Sequence, residues 1–268
     1  MHPDHALRAA RRLGKTPVEA ADTPGFIVNR VARPFYGEAL RLLGEQVALV
    51  DVIDASVKLA GFRMGPFALM DLIGIDVNFA VTQSVYAAFF GDPRYRPHPI
   101  QQRMVESGQI GRKRGAGFYR YDGDAPTPNP AVAPTPAYAN VLTYERLPSD
   151  LDRRWRMALN AAGADEALLT DQPLAGFILA RIVGQIINEA AFALGEGVAS
   201  AADIDTAMRL GTNYPLGPCA WGNTLGLDLV LEVLTYLQGF YGEERYRPAP
   251  LLRQLVAMGR RGRDGEGF

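Results

Sequence analysis

The chain repeats itself, and this constrains its fold more than any other feature. Gly25-Phe26-Ile27-Val28-Asn29-Arg30 returns 151 residues later as Gly176-Phe177-Ile178-Leu179-Ala180-Arg181. The same spacing relates Glu38 to Glu189, Ile53-Asp54 to Ile204-Asp205, and Tyr95-Arg96-Pro97 to Tyr246-Arg247-Pro248. It widens to 152 at Gly65-Pro66 and Gly217-Pro218, where the second copy carries one extra loop residue. The copies close on Gly115-Ala116-Gly117-Phe118 and Gly265-Glu266-Gly267-Phe268. So many landmarks in one order mark a duplicated unit, so whatever shape one copy takes the other should take as well.

The segment from Asp122 to Asp150 separates the copies. Its prolines at 126, 128, 130, 134, 136 and 148 rule out a helix or a central strand and favour an extended linker. The expected division is residues 1–21 as the remnant of a preceding α/β domain, 22–121 as the first copy, 122–150 as linker and 151–268 as a second, degenerate copy.

Each copy reads as helical. Asp22-Thr23-Pro24 has the form of a helix start, with a capping side chain followed by proline. Val28, Val31, Ala32, Phe35, Ala39, Leu42 and Leu43 then follow a 3.6-residue period, with Pro34 placed to bend the run and Gly44 to end it. Further helices are expected over about 52–60, 76–90 and 99–107, each followed by glycine. Residues 4–13 should form a short helix ended by Gly14, and Thr16 to Ala20 a strand. A lone strand has nothing to pair with, which is why these residues look like the tail of another domain. The fold class is therefore all-α, two homologous helical bundles.

Composition excludes several functions. The 28 basic and 29 acidic residues give a net charge of −1, so no basic footprint for nucleic acid or a membrane surface exists. The single cysteine, Cys219, allows no intrachain disulfide and no cysteine-based zinc site, and points to a reducing, cytoplasmic setting. Of three histidines, His2 and His5 lie at the N-terminus and His98 sits in Arg96-Pro97-His98-Pro99, which reads as a surface turn. No metal site is expected.

The order GK-x-PV-x-x-x-D-T-P-GF-I-V-NR, the Glu38 helix, V-D-V-I-D, G-F-R-M-GP-F and GRKRGAGFY resembles the C-terminal helical domain of 3-hydroxyacyl-CoA dehydrogenases. The likeness runs from about Leu7 to Phe268, and implies a helical domain like that of 6-phosphogluconate dehydrogenase, here in tandem. It further implies a full-length enzyme whose Rossmann domain binds NAD and carries a His–Glu pair. The helical part would then form one wall of the acyl-CoA cleft and a dimer surface, as a homodimer or as an intrachain pseudo-dimer. Relatives acting on 3-hydroxybutyryl-CoA or, in aromatic-acid breakdown, on 3-hydroxyadipyl-CoA suggest the substrate class.

By the same resemblance Asn29 matches an asparagine that meets substrate. An amide can donate to a reacting oxygen at no charge cost. Ala180 at the matched position of copy two cannot, so only copy one should hold a site. Met64, Gly65, Pro66 and Phe67 have two readings: a turn lining the acyl path, or a tight interhelical turn with Phe67 in the core. Arg30 and Arg181 are kept in both copies and read as structural, as in a salt bridge to a helix end, and by the same logic Glu38 and Glu189 read as structural. Lys113 and Arg114 have two readings, a contact to CoA phosphates or a solvated basic loop, of which the loop is preferred, and Cys219 reads as an inert buried residue.

Two rivals stand beside the enzyme reading. One is a helical scaffold that only dimerises; the other is a different β-hydroxyacid dehydrogenase, against which the string from Thr23 to Arg30 weighs. None of the triplets at 115–117, 195–197 and 265–267 extends to G-x-G-x-x-G, the pattern that cradles a dinucleotide pyrophosphate. Calorimetric titration of this chain with NADH is therefore expected to show no binding in the micromolar range, and micromolar binding would overturn that expectation.

Overall fold

The computed structural model describes residues 3–132, 147–170, 174–263 and 267–268. Helix α1 (Pro3–Arg12) comes first, ended by Gly14 in a left-handed conformation. The first copy then runs α2 (Val28–Val31), α3 (Arg33–Gly44), α4 (Val50–Leu59), α5 (Pro66–Ile73), α6 (Ile75–Ala88), a 3-10 turn at Pro93–Tyr95 and α7 (Pro99–Glu106). Two short strands, β1 (Tyr119–Arg120) and β2 (Thr127–Pro128), pair antiparallel. After α8 (Ser149–Ala161) and α9 (Ala167–Thr170), the second copy runs α10 (Ala175–Gly195), α11 (Ala201–Thr212), α12 (Pro218–Leu225), α13 (Leu227–Tyr241), a 3-10 turn at Glu244–Tyr246 and α14 (Pro250–Ala257). Both copies are all-α.

Three local expectations need correction. Thr16 to Ala20 are not in a strand; the extended segment ties to the second copy through the Ala21 N–H on the Val198 carbonyl at 2.7 Å. The first helix does not start at Asp22. The Thr23 carbonyl instead accepts from the Phe26 N–H, and helix begins at Val28. The proline-rich segment is extended at Thr127–Pro128 but is not a free linker there, because it pairs with β1 and the Asn129 amide donates to the Gly117 carbonyl. The part of it from 133 to 146 lies outside the described residues.

Pro34 lies at the start of α3, and its counterpart is Gln185. Proline has no N–H to continue a helix. Copy one is accordingly split into α2 and α3, whereas copy two runs unbroken through α10 for 21 residues. Helix α10 is long and apolar enough to cross a membrane, but 94% of that stretch is buried inside the protein as its central core helix.

The copies pack face to face across a pseudo-two-fold axis. Phe62 and Tyr214 are equivalent residues, and their rings meet at 5.0 Å. A residue touches its own counterpart only at a two-fold axis. Around this point Phe35, Phe62 and Trp221 extend a shared aromatic core.

Charges cross the same interface reciprocally. Arg30 Nε donates to Glu189 at 2.7 Å, and Arg181 Nε donates to Glu38 at 3.0 Å. Glu189 also accepts from Tyr95 at 2.5 Å and Arg94 at 2.9 Å. Glu38 accepts from Tyr246 at 2.8 Å and lies 3.4 Å from Arg245. The outer arms repeat the exchange, Arg30 to Glu196 and Arg181 to Glu45. Burial alone would raise the Glu38 pKa, but Arg181, Arg245 and Arg41 pull it down to about 2. Removing one partner of a buried pair leaves the other charge uncompensated, at roughly 3–5 kcal/mol. Glu38→Gln and Glu189→Gln should each lose about that much stability in urea denaturation. Wild-type midpoints for both would refute the assignment of these pairs as structural.

Candidate functional site

The two copies share a fold but differ sharply on one side. Phe26 is 55% exposed, Ile73 42% and Val77 47%, while their counterparts Phe177, Leu225 and Leu229 are 1%, 1% and 4% exposed. In copy two the face of α12 and α13 is covered by α8, which buries Leu151, Trp155 and Leu159 along one stripe. Copy one leaves the matching apolar face of α5 and α6 open among the described residues.

Asn29 stands exposed on the four-residue helix α2. The turn before it needs Gly25: φ is +78°, and a Cβ there would lie 3.0 Å from the Arg30 nitrogen. Phe26 follows at φ +48°, an unusual value for a bulky residue. Behind the exposed amide, Ile27 and Arg30 are buried, and Val28 packs near Gly211 of α11. Copy two thus backs the wall that copy one presents. Asn29 also gives its backbone carbonyl to Arg33 Nε at 2.8 Å.

Met64, Gly65, Pro66 and Phe67 are brought together as the entry to α5. Gly65 and Pro66 are buried, Phe67 is fully buried against Phe118 at 4.6 Å, and Met64 is half-buried. Asp54 accepts from the Phe67 and Ala68 N–H groups at 3.0 and 2.9 Å and from the Tyr119 hydroxyl at 3.0 Å. Burial pushes its pKa up to about 6 despite these donors. A Cβ on Gly65 would meet Asp54 at 2.2 Å, so this glycine makes room for the cap. Copy two repeats the device with Asp205 on Cys219 and Ala220, and burial raises the Cys219 thiol pKa. The interhelical-turn reading accounts for Gly65, Pro66 and Phe67, and only Met64 keeps a surface.

Sequence reasoning named Asp54 only as a repeat landmark and missed Asp71. Asp71 accepts from the Phe118 and Tyr119 N–H groups and the Tyr121 hydroxyl, each at 2.9 Å. Gly117 and Gly111 allow this clasp, since a Cβ on either would strike Asp71. Asn223 holds the Phe268 N–H in the same way. The triplet at 115–117 is thus a structural turn. The triplet at 195–197 ends α10, whose C-terminal pole repels phosphate rather than attracting it. Neither fits a dinucleotide. Lys113 pairs with Asp76 at 2.8 Å on the surface.

The architecture is therefore that of a paired helical module, with one copy open and one closed among the described residues. The sequence profile of the 3-hydroxyacyl-CoA dehydrogenase C-terminal domain matches residues 25–121 and again 176–268, and the chain belongs to that family. The 3-hydroxyadipyl-CoA dehydrogenase of Escherichia coli K12 is 43% identical, over 91% of this chain and 62% of that protein. A 3-hydroxybutyryl-CoA dehydrogenase of Clostridioides difficile is 41% identical over 44% of this chain and 42% of its own length. The crystal structure of 3-hydroxybutyryl-CoA dehydrogenase from E. coli K12 superposes with a TM-score of 0.76 at 38% identity, covering 95% of this chain and 64% of that one. The chain spans less than two thirds of the length of these relatives.

His98, read from sequence as a surface turn, is a half-buried cap of α7. Its Nδ1 accepts from the Ile100 N–H at 3.2 Å, and its ring covers Gly44. Burial, with Arg41, Arg103 and Arg245 nearby, lowers its pKa to about 4. Protonation thus favours the unfolded chain: the stabilisation is complete above pH 6.5 and is lost as pH falls towards 4. Copy two has Ala249 at this position. The melting temperature should drop more steeply between pH 6.5 and 4 in the wild type than in His98→Ala. Parallel profiles across that window would refute the assignment.

Proposed function

We propose that this chain is the substrate-cleft and assembly portion of an NAD-dependent 3-hydroxyacyl-CoA dehydrogenase, oxidising the 3-hydroxyl of an acyl-CoA to a ketone. The observation that carries the reading is the asymmetry at Asn29 and Ala180. Two copies with one fold differ where the family resemblance puts a substrate contact, and the copy that holds the amide also leaves its apolar face uncovered. The names of the relatives support the acyl-CoA class, and the 43% identity favours 3-hydroxyadipyl-CoA or a short 3-hydroxyacyl-CoA as substrate.

In this reading the Asn29 amide donates to the reacting oxygen and holds it in place, an uncharged donor that leaves proton transfer to another group. Met64 and the open α5–α6 face contribute apolar surface to the acyl path. NAD belongs to another part of the full-length enzyme, since neither described G-x-G turn of this chain is built for it. The paired copies take the place of a dimer interface, and a cytoplasmic setting fits the single buried Cys219. The division into 22–121 and 151–268, with 1–21 as the tail of a preceding domain, is part of the same proposal.

The alternative scaffold function predicts no loss of activity from any change at Asn29. In the full-length enzyme, Asn29→Ala should lower kcat by roughly 10²–10³, the effect of losing one preorganised donor. Its melting temperature should barely move, because the side chain is exposed. Ala180 is fully buried, so Ala180→Asn should cost stability, but the folded variant should keep the wild-type kcat. Steady-state oxidation of a short 3-hydroxyacyl-CoA, with melts alongside, decides. Normal kcat and KM in Asn29→Ala, with a melting point several degrees lower, would make Asn29 a structural residue.

A further inference from the structure

Arg33 is buried, yet no carboxylate pairs with it among the described residues. Its Nε donates to the Asn29 carbonyl at 2.8 Å and its Nη1 to the Thr82 hydroxyl at 3.0 Å. The Thr82 hydroxyl donates to the Asn78 carbonyl at 2.9 Å, and the Asn78 side chain accepts from the Gln101 amide at 2.8 Å. Hydrogen bonds therefore link Asn29 through Arg33 and Thr82 to the Asn78 backbone, and the Asn78 side chain is held in turn by Gln101. Arg33, Asn78 and Gln101 are all at least nine-tenths buried.

Copy two replaces this chain member by member. Ala180, Gly184, Leu234, Val230 and Leu252 stand at the five matched positions, and Gly184 packs against Val233 and Leu234. The fold does not need the polar chain, since the same helices pack with apolar residues in its place. A buried guanidinium without an acid is costly, and burial lowers its pKa. Copy one keeps that cost only where Asn29 is present.

The geometry explains what Arg33 does there. The helix breaks at Ala32 because of Pro34, and a broken helix leaves terminal carbonyls without their usual partners. Arg33 caps one of these, that of Asn29. Peptide planes near a helix end are otherwise free to tilt, and a tilt at Asn29 would swing its amide.

We propose that Arg33 is a positioning residue for Asn29, and that the Arg33–Thr82–Asn78–Gln101 chain fixes the direction of the Asn29 amide for the reaction. This rests on the functional reading of Asn29 given above. The charge does not meet substrate; it orders the residue that does.

A double-mutant cycle in the full-length enzyme tests this, with Arg33→Met, Asn29→Ala and the pair together. Arg33→Met keeps the stem and removes the donors. It should lower kcat roughly 10–10²-fold, the scale of a small misplacement of a reacting group. KM for a short 3-hydroxyacyl-CoA should stay within about twofold, because the ground-state contacts remain. In the Asn29→Ala background the same change should have no further effect. Arg33→Lys, which keeps a donor, should recover part of the rate. Additive losses, or unchanged kcat in Arg33→Met while Asn29→Ala is slow, would overturn the positioning role alone. Unchanged kcat in Asn29→Ala would overturn it together with the functional reading.

Discussion

Two buried glutamates, each answered by arginine and tyrosine from the opposite copy, set how the two copies fit. Glu38 and Glu189 are at most 4% exposed. Neither finds its main partner within its own copy: Glu38 depends on Arg181 and Tyr246, Glu189 on Arg30 and Tyr95. Desolvating such charges offsets much of their mutual attraction, so the pairs add little to net stability over apolar packing. What they impose is register. Sliding one copy on the other would strand two carboxylates and several guanidiniums in a dry interface. The aromatic contact of Phe62 with Tyr214 marks the axis, and the ion pairs fix the rotation and translation about it.

Duplication then allows division of labour. A symmetric interface needs its residues kept on both sides, and they are: Arg30 with Arg181, Glu45 with Glu196, Tyr95 with Tyr246. Elsewhere the copies drift in a consistent direction. Copy two becomes apolar and closed, with α8 laid over α12 and α13 and an unbroken α10 at its centre. Copy one keeps a broken helix, an exposed amide and an apolar face that no described residue covers. Each departure is unfavourable for folding alone: a break loses backbone bonds, and exposed Ile73 and Val77 forgo burial. Copy two shows that this sequence family can avoid all of them.

Much of this was legible in the sequence. The repeat offset, the helical period and the structural role of Arg30 and Glu38 follow from spacing, because residues kept in a copy without a site are kept for folding. Which partner each would find was not legible: an internal repeat says that two units are alike, not that their ion pairs cross between them. The helix start at Val28 was missed because Asp22-Thr23-Pro24 has capping chemistry but the chain there turns through Gly25 and Phe26 instead. The roles of Asp54 and Asp71 were missed because they bind N–H groups distant in sequence, which leaves no local pattern. The repeat of Asp54 as Asp205 and the glycines at 65, 111 and 117 carried the signal, since each glycine leaves room for one of those carboxylates. His98 looked like part of a proline-rich surface turn; only the packing over Gly44 shows that its ring is sheltered.

Helix α2 shows how these levels join. Four residues cannot hold a helix by propensity, because nucleation exceeds what one turn of hydrogen bonds returns. Its conformation must therefore come from its neighbours. Ile27 is buried in the core, and Arg30 is bound by Glu189 and Glu196 of the second copy. Just past its end Arg33 is bound within the first copy, to Thr82 and to the Asn29 carbonyl. Asn29 thus adjoins a residue anchored in the second copy, Arg30, and gives its carbonyl to one anchored in the first, Arg33. Its place on the surface depends on the docking of the two copies as much as on its own helix. The duplicated unit that holds no amide is in this way part of the frame that positions the one that does.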